Sequence, residues 1–288
     1  MTQPLIANFK LSTEQIAQWE SDGFLIIRNL FEAHQIQQLK LTMQEIADKG
    51  QAVPGWQPLL DAKAYDAKEQ DARHPGDILK RYPRYIHPHR HLDLPRQMML
   101  QPRVHDVLLQ LTGDQPVACQ SMYYYKPCGA KGQALHQDNI YLQVEPNTCH
   151  AAWTAIDPVT PENGGLYVVP GSHTMDTQCP SLSDESQSFT THLVDVPKGM
   201  KAVPTVMQPG DVLFFNGQII HGSGMNRSKT LWRRSFICHY MPRTSKCVSK
   251  FYFPVVGFDG SELTYEASQA GGPCGEEYKD KIPSSYSN

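Results

Sequence analysis

Apolar positions in the first third of the chain recur at helical spacing. The stretch STEQIAQWESDG opens on a Ser12–Gln15 capping box, carries Ile16 and Trp19 on one side and ends at Gly23, which predicts a helix. FLIIRNLF then reads as a short strand. EAHQIQQLKLTMQEIADKG spaces Ile36, Leu39, Met43 and Ile46 as a second helix stopped at Gly50. Residues 51–100, rich in Pro, His, Asp and Arg, read as long loops, and 101–113 carry a further helical stripe of Val104, Val107, Leu108 and Leu111. From about residue 117 the texture changes. Short β-type runs such as VACQSMYYYKP, AAWTAI, DVLFFNGQIIHG and RRSFICHYM alternate with Gly, Pro and Asn turns, as in an antiparallel sandwich or barrel. The expected fold class is mainly β with flanking helices. A single domain spans 1–288: helices and loops over 1–115, a β core over 116–258 and a surface tail over 259–288.

Composition narrows the function classes. Of 288 residues, 40% are hydrophobic and 19% charged, which is ordinary for a soluble globular protein. The 26 basic and 29 acidic residues leave a net charge of −3, so neither nucleic acid nor an anionic membrane is an expected partner. The N-terminus lacks the basic start and apolar stretch of a secretory signal, and no apolar run is long enough to span a bilayer. The seven cysteines are odd in number, widely spaced and without a CxxC pair. A disulfide framework or zinc-thiolate site is therefore not expected, and a cytoplasmic location is.

Candidate chemistry sits in ALHQDNIY. On a strand, His136 and Asp138 project to the same side and Gln137 to the other. A third group, His221 in FFNGQIIHGSGMN, would complete two imidazoles and one carboxylate, the facial set of non-haem iron(II) oxygenases. HxD alone is a weak signal in a chain with 12 histidines. The downstream residues strengthen it. Arg233 or Arg234, in LWRRSFICHYM, offers a planar fork for a carboxylate, and Ser223 adds a hydroxyl.

Together HQD, AAWTAIDPVTPENGGLYVVPGSH, QPGDVLFFNGQIIHGSGMNRS and RRSFICHY resemble the phytanoyl-CoA dioxygenase family of Fe(II)- and 2-oxoglutarate-dependent oxygenases, over roughly residues 15–250. The resemblance implies a double-stranded β-helix, a cupin-like jelly roll, with N-terminal helices packed on it. It implies iron(II) held by His136, Asp138 and His221, and 2-oxoglutarate held by Arg233 and Ser223. Arg233 is preferred to Arg234 because its distance to His239 matches the family's segment, although its gap from His221 is one residue longer than is common there. CQSMYYYKP is similar to the strand before the metal motif in the ectoine hydroxylase branch. Gln120 and Tyr124 match positions there that contact substrate or co-substrate, and Trp153 matches a pocket tryptophan of the phytanoyl-CoA branch.

The implied reaction uses O2 and 2-oxoglutarate to hydroxylate an unactivated C–H bond of a small metabolite, releasing succinate and CO2. Asp138 fills the place that a halide takes in related halogenases, which counts against halogenation. Three alternatives stand. The substrate is an acyl-CoA, with LKRYPRYIHPHR as a basic mouth; the reaction ends in desaturation or cyclisation; or the chain is a non-catalytic cupin-like binding protein.

Other residues are expected to be ordinary. His87, His89 and His91 read as a solvated or pocket-rim segment, and Lys80 and Arg81 as surface charge. His173 is expected to brace a loop, His150 and His239 to be hydrogen-bonded strand residues, and Gly164 and Gly165 to make a turn.

Overall fold

The structure, a computed structural model, describes residues 9–48 and 84–269. Helix α1 (Thr13–Asp22) begins where the sequence places it. Ser12 Oγ accepts from the Gln15 amide, and Gln15 Oε1 accepts from the Ser12 amide at 2.9 Å. It ends at Gly23, whose φ of 77° favours glycine and over which the His173 ring packs where a side chain would stand. His173 thus braces its loop against the end of α1. Helix α2 (Ala33–Asp48) buries Ile36, Leu39 and Met43 as its spacing predicts, with Ala47 rather than Ile46 completing the face.

Strand β1 (Phe24–Ile27), between these helices, already belongs to the larger sheet. The other strands, in chain order, are β2 (Arg84–Ile86), β3 (Pro116–Tyr124), β4 (Gln133–His136), β5 (His150–Ala155), β6 (Leu166–Val168), β7 (Ser181–Leu182), β8 (His192–Leu193), β9 (Val203–Pro204), β10 (Val212–Asn216), β11 (His221–Ser223), β12 (Ser235–Pro242), β13 (Cys247–Val248), β14 (Val255–Gly257), β15 (Glu262–Leu263) and β16 (Glu266–Ala267). The larger sheet runs β1-β10-β5-β12-β3-β14-β15, with β2 also on β3, and the smaller runs β4-β11-β6-β9. The β body therefore draws strands from residues before 116. The segment expected as a surface tail contributes β15 to the larger sheet and β16 to a parallel pair with β13.

Strand alternation sends the larger sheet's side chains to two cores. Phe214, Phe236 and Tyr240 pack with Trp19, Leu39 and Met43 of helices α1 and α2 and with Val107 of a further helix, Pro102–Thr112. Trp153, Leu213, Phe215 and Ile237 point the other way and meet Leu166 and Val168 of the smaller sheet. Two sheets face to face with helices on the outer side form the jelly roll. Each large side chain buried in these layers contributes roughly 1.5–3 kcal/mol, and Phe214→Ala would cost about 3–5 kcal/mol.

Among the described residues no helix is long and apolar enough to cross a membrane. Cys119, Cys128, Cys149, Cys238 and Cys247 are free thiols. Cys179, contrary to the expectation of a wholly reduced chain, is in a disulfide.

Candidate active site

The smaller sheet brings two histidines together. His136 is the last residue of β4, His221 the first of β11, and they are direct register partners with ring centroids 4.3 Å apart. The run DVLFFNGQIIHG, read above as one β-type run, is two strands. Strand β10 stops at Asn216, the chain turns through 217–220, and β11 starts at His221. Close packing of Gly217 on Cys149, where a Cβ would lie 2.6 Å from the Cys149 carbonyl oxygen, explains the turn.

The route to Asp138 also differs from the expected one. Strand β4 ends at His136, and Asp138 takes helical backbone angles (φ −64°, ψ −32°) at the head of a single turn, Asn139–Leu142. Asn139 pins that turn, accepting from Val144 N at 3.1 Å and donating its own amide to Gly217 O at 3.1 Å. Convergence of the imidazole and carboxylate thus comes from a bend, not from period-two alternation. Gln137 does point away, donating to Gln218 O at 2.7 Å.

His136, Asp138 and His221 are all buried, with their donor atoms within 4.8 Å of one another. His136 Nδ1 lies 2.8 Å from Ala134 O, and His221 Nδ1 lies 3.1 Å from Ile219 O. Each ring thus bonds the carbonyl two residues back. That contact places the proton on Nδ1 and leaves the Nε2 lone pair inward. The two lone pairs face Asp138 Oδ1 at 3.4 and 3.6 Å. His136 Nε2 accepts from Gln133 Nε2 at 3.0 Å, but no proton lies between the two imidazole lone pairs and Oδ1, so these three donors repel one another unless a cation lies between them. The donor set therefore fits a divalent metal that accepts two imidazoles and one carboxylate, as iron(II) does. Burial pushes the His221 imidazolium down to about 4, keeping the ring in its ligating form. Burial alone would raise the Asp138 carboxyl. The imidazoles around it, His221 and then His239, whose Nε2 donates to Oδ2, outweigh burial and hold the group well below the usual carboxylate range.

His239 is the site residue that sequence reasoning missed. Its Nε2 meets Asp138 Oδ2 at 2.9 Å, and its side chain is buried. It was expected to be an ordinary strand histidine, and β12 does carry it. Only the fold, however, brings it to a carboxylate 101 residues away.

The metal-ligand candidates sit in a cavity between the sheets. Arg233, Ser223, Trp153, Gln120 and Tyr124 all line it, and Gln120, Met122 and Tyr124 enter on one face of β3. Arg233 is buried. Its Nε donates to Gly164 O at 3.1 Å, a terminal nitrogen donates to Ser235 Oγ at 2.9 Å, and the guanidinium lies 5.2 Å from the Trp153 ring centroid. Burial lowers its pKa to about 10, still cationic at neutral pH. Arg234 points to the opposite face, where it makes a forked pair with Asp157 at 2.6 and 3.0 Å.

Of the segment read as solvated or pocket-rim, His91 is exposed, whereas His87 and His89 are buried, because Pro88 opens a 3₁₀ turn that folds them onto β3. His89 Nδ1 lies 2.6 Å from Ser121 Oγ. His150 is buried on the helix side, 5.9 Å from the Trp19 ring. Lys80 and Arg81 lie outside the described residues.

Two facing sheets enclosing a His-Asp-His set define a metal-dependent jelly-roll enzyme. Residues 19–235 match the family Phytanoyl-CoA dioxygenase (PhyH), and the chain belongs to that family. The chain is 29% identical over 259 residues to the peroxisomal phytanoyl-CoA dioxygenase of Rattus norvegicus, covering 86% of this chain and 73% of that protein. Among solved structures it is similar to EctD from S. alaskensis with bound Fe, at TM-score 0.63 and 20% identity over 92% of each chain. It is also similar to SnoK, a non-heme alpha ketoglutarate dependent carbocyclase from nogalamycin biosynthesis, at TM-score 0.62 and 19% identity over 82% of this chain and 86% of that one. These two likenesses carry the fold. Family and donor set together make the chain an iron- and 2-oxoglutarate-dependent oxygenase.

Proposed function

We propose that this oxygenase hydroxylates an unactivated C–H bond of a small metabolite. His136, Asp138 and His221 hold iron(II), and Arg233 with Ser223 holds the far carboxylate of 2-oxoglutarate. The observation that carries the reading is a buried, convergent set of inward Nε2 and Oδ1 donors sharing one cavity with a buried guanidinium. Iron and 2-oxoglutarate bound there supply the oxidising power: O2 gives one oxygen atom to the substrate and one to succinate, with loss of CO2.

The chain's own residues bind, orient and exclude water. Arg233 gives the co-substrate a charge-assisted fork in a desolvated place, and the Trp153 ring lies over the guanidinium as a cation–π partner. Met122, Leu166, Phe215 and Ile237 give the cavity an apolar stretch of wall, which keeps water from the reacting carbon. Gln120, with a buried amide nitrogen that has no partner, and Tyr124 offer polar contacts for substrate or co-substrate.

A second reading of the substrate rests on charge. Arg84 and Lys131 line the same cavity as Lys126 and Arg233, so an anionic substrate such as an acyl-CoA fits its walls. Ring closure by SnoK, on a like fold, favours cyclisation or desaturation as a second outcome of the chemistry.

We also take residues 1–288 as one oxygenase domain. Support comes from the larger sheet, which draws on residues 24–27, 84–86 and 262–263 as well as the central segment. A cytoplasmic location is part of the proposal, supported by five free cysteines; the disulfide at Cys179 counts against it.

The test is an anaerobic mixture of protein, ferrous ion and 2-oxoglutarate, which should develop a weak visible charge-transfer band. A screen of metabolite pools for O2-dependent succinate release follows. Mass spectrometry would show products that have gained one oxygen or, for desaturation or cyclisation, lost two hydrogens. A binding protein gives neither band nor succinate, and that result sinks the proposal.

A further inference from the structure

A second buried cation stands beside Arg233. Lys126 follows β3 with a φ of 35°, in the left-handed region that a side-chain-bearing residue seldom occupies and that clusters at functional sites. It is 4% exposed, and its Nζ donates to Ser223 Oγ at 3.0 Å. Among the described residues no carboxylate pairs with it. Its stem runs past Gly164, where a Cβ would come within 2.5 Å of Lys126 Cε. The carbonyl of that same Gly164 takes the Nε of Arg233, and the Lys126 carbonyl accepts from the Arg233 amide at 3.1 Å. The two cations are therefore seated on one shared piece of backbone.

This arrangement does nothing for folding. A buried ammonium costs several kcal/mol unless an opposite charge answers it, and a like charge nearby adds to that. Burial, and then the charge of Arg233, push the Lys126 ammonium well below the usual lysine range. An anion set between the two would reverse both penalties. Bracing Ser223 needs only a neutral donor, so it does not account for a lysine.

We propose that Lys126 is a second cation of the co-substrate subsite: with Arg233 and the Ser223 hydroxyl it holds the distal carboxylate, so the site selects a 2-oxo dicarboxylate over a plain 2-oxo acid. The inference rests on the 2-oxoglutarate reading above.

The experiment compares wild type, Lys126→Met and Lys126→Gln in anaerobic titrations of the iron(II)-loaded protein. The ligands are 2-oxoglutarate and 2-oxovalerate, which has the same chain length without the distal carboxylate. Melting of the metal-free proteins gives a readout independent of activity. Both variants should weaken 2-oxoglutarate by about 10- to 100-fold, as for loss of a charge-assisted contact. Both should leave 2-oxovalerate unchanged, and the metal-free Lys126→Met protein should melt at or above the wild-type temperature. Wild-type affinity for 2-oxoglutarate in Lys126→Met overturns the proposal. So does full retention in Lys126→Gln, which would leave only the hydrogen bond to Ser223. Equal weakening of both acids with a lowered melting temperature assigns Lys126 to bracing and overturns it as well. A wild-type protein that does not prefer 2-oxoglutarate to 2-oxovalerate brings down the co-substrate reading, and this proposal with it.

Discussion

His239 holds Asp138 from behind: Nε2 donates to Oδ2 at 2.9 Å, while Oδ1 faces the two imidazoles. The carboxylate is thereby fixed in rotation, with one oxygen occupied and the other presented. His239 is itself fixed by β12, where it lies opposite Gln120 of β3.

His239→Leu should therefore weaken iron(II) binding by about 10- to 100-fold, the usual effect of removing an outer partner of a metal ligand. His239→Gln, which can still donate, should recover most of it. Anaerobic metal titration reads both, and the 2-oxoglutarate requirement at saturating iron should not move. Equal loss in both variants would show that packing, not the hydrogen bond, is what matters.

Asp138→Ala should abolish product formation and metal binding while leaving the fold intact. The metal-free protein should stay folded but melt somewhat lower than wild type, because the change leaves the buried His239 Nε2 donor without its acceptor. Circular dichroism and metal titration check it; product formation at the wild-type rate would refute the ligand assignment.

Adjacent arginines should separate cleanly. Arg233→Ala is expected to raise the 2-oxoglutarate requirement by orders of magnitude, from loss of about 2–4 kcal/mol in a desolvated site, with little change in melting. Arg234→Ala should instead lower stability, because it leaves Asp157 buried without its fork. The loss should be less than the roughly 3–5 kcal/mol of a fully buried pair, since Lys40 stays 2.9 Å from Asp157. A co-substrate defect in Arg234→Ala instead would put the subsite on the other face of β12.

These contrasts mark what the sequence made legible. Helix caps, helical spacing and the ordered motifs name His136, Asp138, His221, Ser223 and Arg233, and the fold brings all five to one cavity. Local pattern could not show that β4 ends at His136, because the bend at Asp138 is held by Asn139 and a carbonyl at Gly217. Nor could it give His239 its partner. A histidine on a buried strand looks the same whatever lies beneath it, and the pairing is decided by sheet register. His87 and His89 look solvated by composition, yet Pro88 turns them inward. Lys126 carries only a faint local sign, a lysine before Pro127 at the end of a strand.

Stability should fall in mild acid through histidines outside the metal site. Burial pushes the imidazolium of His150 down to about 4; burial, then the charge of Arg90, pushes that of His89 down to about 3. Both folded values lie below the unfolded 6.5, so the unfolded chain takes up protons that the fold refuses. The stability is whole above pH 6.5 and is lost as pH falls toward 4 and then 3. The slope is about 1.4 kcal/mol per pH unit for each histidine. Urea midpoints of the metal-free protein across this range should show it, and His150→Leu should flatten the slope by one proton's worth. An unchanged slope in that variant would mean His150 titrates normally.

Gly164→Ala should damage stability and co-substrate binding together. The residue's φ of 77° strains any side chain, and a Cβ would press on Gly224 O at 2.7 Å and Lys126 Cε at 2.5 Å. The backbone can yield only by shifting the carbonyl that holds Arg233 Nε. A loss of about 1–3 kcal/mol in denaturant titration is expected, with a raised requirement for 2-oxoglutarate that persists at temperatures where the variant is fully folded. Iron(II) affinity should stay near wild type, because none of the atoms near this Cβ belongs to His136, Asp138 or His221. A variant that is merely less stable, with unaltered co-substrate binding once folded, would show that Lys126 and Arg233 keep their positions without the glycine.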